Sequence, residues 1–216
     1  MLLSEAVAEL KLGLGNIRPN TPDTVFVTAL KTAQRQAEYP GTTNFPWFLE
    51  TDASLSFLAG ATSAPLPADF IIERQMPRKE SPLLQLDAEG FPVAYVEKVD
   101  LQDLEADTLG VAAGSSHSYA LYGSTLRIGP PPATPTTFRL YYYRADTPLA
   151  ELPNLWLTHA PDLLIGRAGM QLAQDMEYSS AVTKFSARYS AAYQALVAAG
   201  NSRRYEGRVM EYGDAF

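Results

Sequence analysis

The stretch that decides the fold opens with FRLYYYRA (Phe138–Ala145). It continues through DTPLAELPN into LWLTHAPDLLIGRAGMQLAQDMEYSSAVTKFSARYSAAYQALVAAG, which ends at Gly200. FRLYYYRA alternates aromatic and aliphatic residues as a strand does. DTPLAELPN is a Pro-punctuated connector. Pro161 suits the first turn of a helix, where its missing N–H leaves nothing unpaired. Leu164, Ala168 and Leu172 then repeat at helical spacing. After a break at Tyr178-Ser179-Ser180, Val182, Phe185, Tyr189, Tyr193 and Leu196 mark one face of a second helix. Gly200-Asn201 reads as its C-terminal stop. So short a joint makes the two helices antiparallel neighbours.

Working outward, residues 2–14 predict a short amphipathic helix with Leu3, Val7, Leu10 and Leu14 on one side. Thr21-Pro22-Asp23 reads as an N-cap hydroxyl, a proline at the first helical position and an acid at the positive end of the helix dipole. That helix is expected to run to about Tyr39, before Pro40-Gly41. Phe26, Leu30, Ala33 and Ala37 form its buried stripe, while Gln34, Arg35, Gln36 and Glu38 partly face water. From Phe45 to Arg144 the texture changes to short apolar runs broken by Pro, Gly, Ser and Asp. Strands are expected at Trp47–Glu50, Ser54–Leu58, Phe70–Met76, Leu83–Leu86, Ser118–Tyr122, Thr125–Ile128 and Thr137–Tyr143. Tyr122-Gly123-Ser124-Thr125 reads as a tight hairpin turn. Asp100–Asp107 (DLQDLEAD) is an acidic run of one or two helical turns.

Two helices at each end cannot bury their stripes separately, so they must close on each other. The expected fold is therefore α+β. Residues 1–44 and 153–200 form a discontinuous helical bundle, 45–152 an inserted antiparallel β module, and 201–216 an extended C-terminal arm.

Composition removes several function classes. The 216 residues include no cysteine, which excludes disulfides, thiolate metal sites and a Cys nucleophile. No run reaches the roughly 20 apolar residues of a membrane span. MLLSEAVAELKLGLG lacks a basic leader region and is not expected to be a secretory signal. The formal net charge is −7, whereas sequence-independent grip on nucleic acid needs a basic surface.

No chemistry-bearing constellation emerges. His117 and His159 each lack a ligand at helical spacing, so no metal or other cofactor is expected. Ser115 and Ser116 lie beside His117 without the GxSxG elbow of a Ser nucleophile. The carboxylates of DLQDLEAD read better as a solvated face than as a glycosidase pair. Gly110-Val111-Ala112-Ala113-Gly114 lacks the Lys and Ser/Thr of a phosphate loop. Trp47, Phe48, Tyr141, Tyr142 and Tyr143 read as packing residues rather than a sugar platform. The tail differs. Arg203, Arg204, Tyr205, Arg208, Tyr212 and Phe216 enrich it in side chains that favour protein interfaces.

Five pieces in order carry a family resemblance: LPADF (Leu66–Phe70), LLQLD (Leu83–Asp87), YALYGSTLRIGPPP (Tyr119–Pro132), FRLYYYRA and LPNLWLTHAPDLLIGRAGMQLA. Together, over about Trp47 to Leu196, they resemble the head-to-tail adaptor proteins of tailed bacteriophages. One departure is Ser115-Ser116-His117-Ser118, where the family often has Gly-x-Pro. The resemblance implies a non-enzymatic virion protein assembled in the host bacterial cytoplasm. It implies a ring, usually of twelve copies, beneath the portal. That ring extends a DNA channel without binding DNA specifically and meets the next tail or neck protein. It also implies that the arm, with Arg203, Arg204, Tyr205, Arg208, Tyr212 and Phe216, docks on the portal. The alternatives are a stopper or tail-completion protein, and a hydrolase.

Overall fold

The computed structural model describes residues 1–15, 20–39, 45–74, 81–150 and 154–210, with side chains as far as Arg203. The chain begins with α1 (Leu3–Gly13), α2 (Asp23–Glu38) and a 3-10 turn (Trp47–Leu49). Next come β1 (Glu50–Phe57), β2 (Ser63–Pro65), β3 (Phe70–Glu73), β4 (Leu83–Leu86), β5 (Pro92–Tyr95) and β6 (Glu97–Lys98). Then follow α3 (Leu101–Thr108), β7 (Ser118–Tyr122), β8 (Thr125–Gly129) and β9 (Thr136–Arg144). The chain closes with α4 (Leu155–His159), α5 (Pro161–Asp175) and α6 (Ser179–Met210). Two compact units result: Met1–Leu49 with Asp146–Phe216, and Glu50–Ala145.

The helical unit is built around α5, which packs against α1, α2, α4 and α6. Leu163, Leu164, Ile165, Ala168, Leu172 and Ala173 are all buried, so this helix is apolar around most of its circumference, as a central helix must be. Pro161 occupies its first turn, as expected. Glycine lets α6 come close. A Cβ on Gly166 would lie 2.7 Å from the Tyr189 backbone nitrogen, and one on Gly169 would lie 2.4 Å from the Phe185 ring. A Cβ on Gly13 of α1 would meet the same ring, also at 2.4 Å. Phe185 therefore sits between two glycines of different helices. Arg188, one turn on, reaches Glu9 of α1 (2.5 Å) and Asp162 of α5.

The expected stripe Phe26, Leu30, Ala33 and Ala37 of α2 is buried. Two residues expected to face water are buried with it, Gln34 and Glu38. They receive the chain as it returns from the β unit. Glu38 Oε1 accepts from Gln34 Nε2 (2.8 Å), the Trp156 indole (3.1 Å) and the Asp146 backbone (3.2 Å). Gln34 donates to the Thr147 carbonyl (3.1 Å) and accepts from Leu149 N–H (3.2 Å). Asn154 caps α4, accepting from Trp156 and Leu157 N–H. A helix over 155–159 was not expected from the sequence, because five residues show too little period. Thr21 does not cap α2: Pro22 holds the cap position and makes no side-chain bond.

In the β unit, β9 is the shared strand. Thr136–Tyr143 of it pair with β1 on one edge; on the other edge β4 takes the first half and β3 the second. β5 extends the sheet beyond β4. The second sheet runs β2-β8-β7-β6. Phe138, Leu140 and Tyr142 alternate along β9 into one core with Phe57, Leu83, Tyr119, Leu126 and Ile128, which come from both sheets. Two buried phenols end on carboxylates: Tyr119 OH donates to Glu73 (3.0 Å) and Tyr142 OH to Asp69 (2.9 Å). Burial, then that bond, pushes the Tyr142 pKa up to about 12. The β7–β8 hairpin turns at Gly123 (φ 58°), as the sequence predicted. Trp47–Leu49 is 3-10 rather than strand, and β2, β5 and β6 were too short to show a period. Gln75 and Met76, expected to end β3, lie outside the described residues.

The largest correction is at the C-terminus. α6 does not stop at Gly200-Asn201 but continues to Met210. Glycine ends a helix when it takes a positive φ, and Gly200 does not. As an interior residue it costs only about 1 kcal/mol relative to alanine. Arg, Glu and Met beyond it favour helix. Residues 211–216, the rest of the expected arm, lie outside the described residues.

These observations set three expected outcomes. Gly166→Ala lowers stability by about 1–3 kcal/mol, because backbone rather than a movable side chain blocks the new methyl group. Gly200→Ala raises it by up to about 1 kcal/mol, since open space surrounds that position. Urea melts of both variants check the pair, and a stabilised Gly166→Ala refutes the close crossing. The third outcome concerns Glu38, whose carboxyl pKa burial raises above 4.5. The folded state then holds its proton more tightly than the unfolded state. Stability therefore falls as pH rises from the ordinary glutamate range through the raised value. Glu38→Gln keeps the acceptor and loses that slope, so melts from pH 4 to pH 8 show it gaining on wild type as pH rises. Glu38→Ala strands the indole and amide donors and costs about 1–3 kcal/mol.

Candidate assembly surface

Helix propensity carries α6 past the end of α5, and its 32 residues span about 48 Å. From Ser190 to Arg203 its residues are half-buried or exposed. One face still has partners. Phe45, Pro46 and Trp47 line a small cleft with Leu196, Val197, Gly200 and Asn201. Over its end the Arg203 guanidinium stacks on the Trp47 ring, 3.4 Å from its centroid. Trp47 also meets His159 edge-on at 5.0 Å, and His159 stacks on Phe48 at 5.2 Å. Indole is the aromatic face that holds a cation best. The pair anchors the distal turns of α6 within the helical unit.

A larger groove of about 280 Å³ opens nearby, lined by Tyr39, Pro46, Trp156, Arg167, Tyr193 and Leu196 among others. Arg167 sits across it, donating from Nε to Gln36 Oε1 (2.6 Å) and from an Nη to the Tyr189 hydroxyl (3.3 Å). Tyr189 and Tyr193 stack at 6.3 Å. The β unit presents different chemistry. In α3 Leu104 is buried against Gly129, whereas Asp100, Asp103, Glu105 and Asp107 are exposed. Glu105 pairs with Arg127 at 2.8 Å.

Of the residues singled out from the tail, Arg203 is placed on Trp47. Arg204, Tyr205 and Arg208 fall on α6, with side chains outside the described residues, as are Tyr212 and Phe216 altogether. The candidate chemistry near His117 is not assembled. That ring is exposed, while the Ser116 and Ser118 hydroxyls donate to the Pro130 (2.6 Å) and Gly129 (3.1 Å) carbonyls. Sequence reading missed Arg167 and the Trp47–Arg203 stack, because each pairs residues more than 130 positions apart.

Among the described residues no helix is long and apolar enough to cross a membrane. A search of curated proteins finds no match. The family model for the SU10 adaptor protein matches residues 1–211. That span covers nearly the whole chain, including both helical ends and the β unit between them. The chain belongs to the SU10 adaptor protein family, a family of phage head-to-tail adaptors.

Proposed function

We propose that this virion protein forms a ring beneath the portal, extends the DNA channel and offers the next tail or neck protein its docking surface. The observation that carries this reading is the family match across both units. The exposed acids of α3 support the channel role, because a carboxylate-lined wall gives phosphates no cations to displace counterions and lets DNA slide. In this reading the protein has no catalytic step and needs no metal or cofactor. Copies are added in the host bacterial cytoplasm, twelve to a ring.

The portal contact is assigned to the C-terminal segment, through Arg204, Tyr205, Arg208, Tyr212 and Phe216. Arg203 plays a different part: stacked on Trp47, it fixes the base from which the segment projects. Aromatic side chains fill pockets between portal subunits, and arginines meet acidic groups around them. Twelvefold repetition offsets the ordering cost, since each docked segment holds its neighbours at high effective concentration.

Deleting residues 204–216 is expected to leave unfolding free energy within about 1 kcal/mol of the intact chain, while portal pull-down falls at least tenfold. Electron microscopy of the intact chain mixed with portal should show a ring on the portal. A truncated chain that still binds portal normally overturns the assignment. Binding only after another neck protein is in place favours the stopper reading.

A further inference from the structure

Two surfaces of the chain are chemically complementary. The first is the β4–β5 hairpin. Its turn is fixed by Asp87 N–H donating to the Phe91 carbonyl (2.9 Å), Phe91 N–H to Asp87 Oδ1 (2.7 Å) and Arg139 to the Gly90 carbonyl (3.4 Å). Gly90 supplies the positive φ of 88°. β5 is the last strand of its sheet, and all four of its residues are exposed. Phe91, Val93 and Tyr95 are 67%, 57% and 58% exposed, and Glu89, in the turn of the hairpin, is exposed too. A rigid hairpin that offers three large apolar side chains and an acid to water is unusual for a solvated surface.

The second surface is the groove on the helical unit. Its walls are aromatic and apolar, and Arg167 is its charged group. The partners of Arg167 are neutral, an amide oxygen and a phenol. Among the described residues no carboxylate pairs with it, although the chain carries seven more acids than bases. An aromatic groove with an unneutralised guanidinium fits an apolar knob that bears a carboxylate.

We infer that the β4–β5 hairpin of one copy seats in the helical groove of a second copy, with Phe91 among the aromatic walls and Glu89 against Arg167. The contact is head-to-tail. Each engaged copy still offers its own free hairpin or free groove, so the joint repeats and closes into a ring when the rotation per copy allows. It rests on the ring reading for its setting and names the side-to-side joint of that ring.

The absence of cysteine makes a direct test possible. Full-length Phe91→Cys and Tyr193→Cys chains, carrying different tags, are mixed under mild oxidation, and disulfide-linked heterodimer is followed on non-reducing gels. The expected rate is at least tenfold above that of Phe91→Cys mixed with Leu109→Cys, whose cysteine replaces an exposed residue of the β unit. Adding Glu89→Arg to the first chain, or Arg167→Glu to the second, brings the rate down to the control. Adding both restores it. A rate equal to the control, or one indifferent to these charges, overturns the joint. So does faster linking of two Phe91→Cys copies, which means strand-to-strand pairing at β5. Portal attachment without trapping overturns the joint alone, whereas trapping without portal attachment overturns the portal reading alone.

Discussion

The helical unit depends on how closely α5 and α6 approach. Gly166 and Gly169 remove two side chains from the crossing, so the α6 backbone at Tyr189 lies where a methyl group would otherwise be. Gly13 of α1 makes the matching space at the tip of the Phe185 ring. One aromatic ring thereby fills volume left by two helices at once, and its dispersion contacts reach both. Separating α5 from α6 by even an ångström would forfeit much of that contact and open space around the ring.

A second constraint closes the unit across a long detour of the chain. The polypeptide leaves at Leu49 and re-enters at Asp146. The re-entering backbone, half-buried at Asp146 and buried at Leu149, has amide and carbonyl groups that need partners. Glu38 and Gln34 do this, with the Trp156 indole completing the set. Buried carboxylates are costly alone, and burial raises the Glu38 pKa, but three donors converge on its Oε1. The network also fixes which segment returns here, because its donors and acceptors are particular backbone positions of 146–149.

Much of this was legible in the sequence wherever a period ran long enough. The stripe Phe26–Leu30–Ala33–Ala37, the alternation of Phe138, Leu140 and Tyr142, and the repeat Leu164–Ala168–Leu172 each reached the buried state they predicted. β2, β5, β6 and α4 escaped because two to five residues carry no measurable period. Gln34 and Glu38 were misplaced for a different reason. Polar residues on a helix are ordinarily solvated, and their burial here depends on partners 108 to 118 positions away. Gly200-Asn201 was misread because composition does not reveal φ. Of the candidate surface, the tail's arginines and tyrosines could be seen by type, but the seat of Arg203 on Trp47 belongs to the tertiary fold alone.

The discontinuity of the helical unit bears on how the protein is made. About 100 residues of β unit separate α2 from α4 and α5. A ribosome adding roughly 5–20 residues per second needs about 5–20 s to cross that distance. During that interval α1 and α2 leave the exit tunnel with Phe26 and Leu30 lacking the helix that will cover them. The β unit cannot close its first sheet any earlier, because its shared strand β9 is the last of the insert to be made. The nascent chain thus spends seconds with a bare apolar helix pair at its head, a natural client for a holdase of the infected cell.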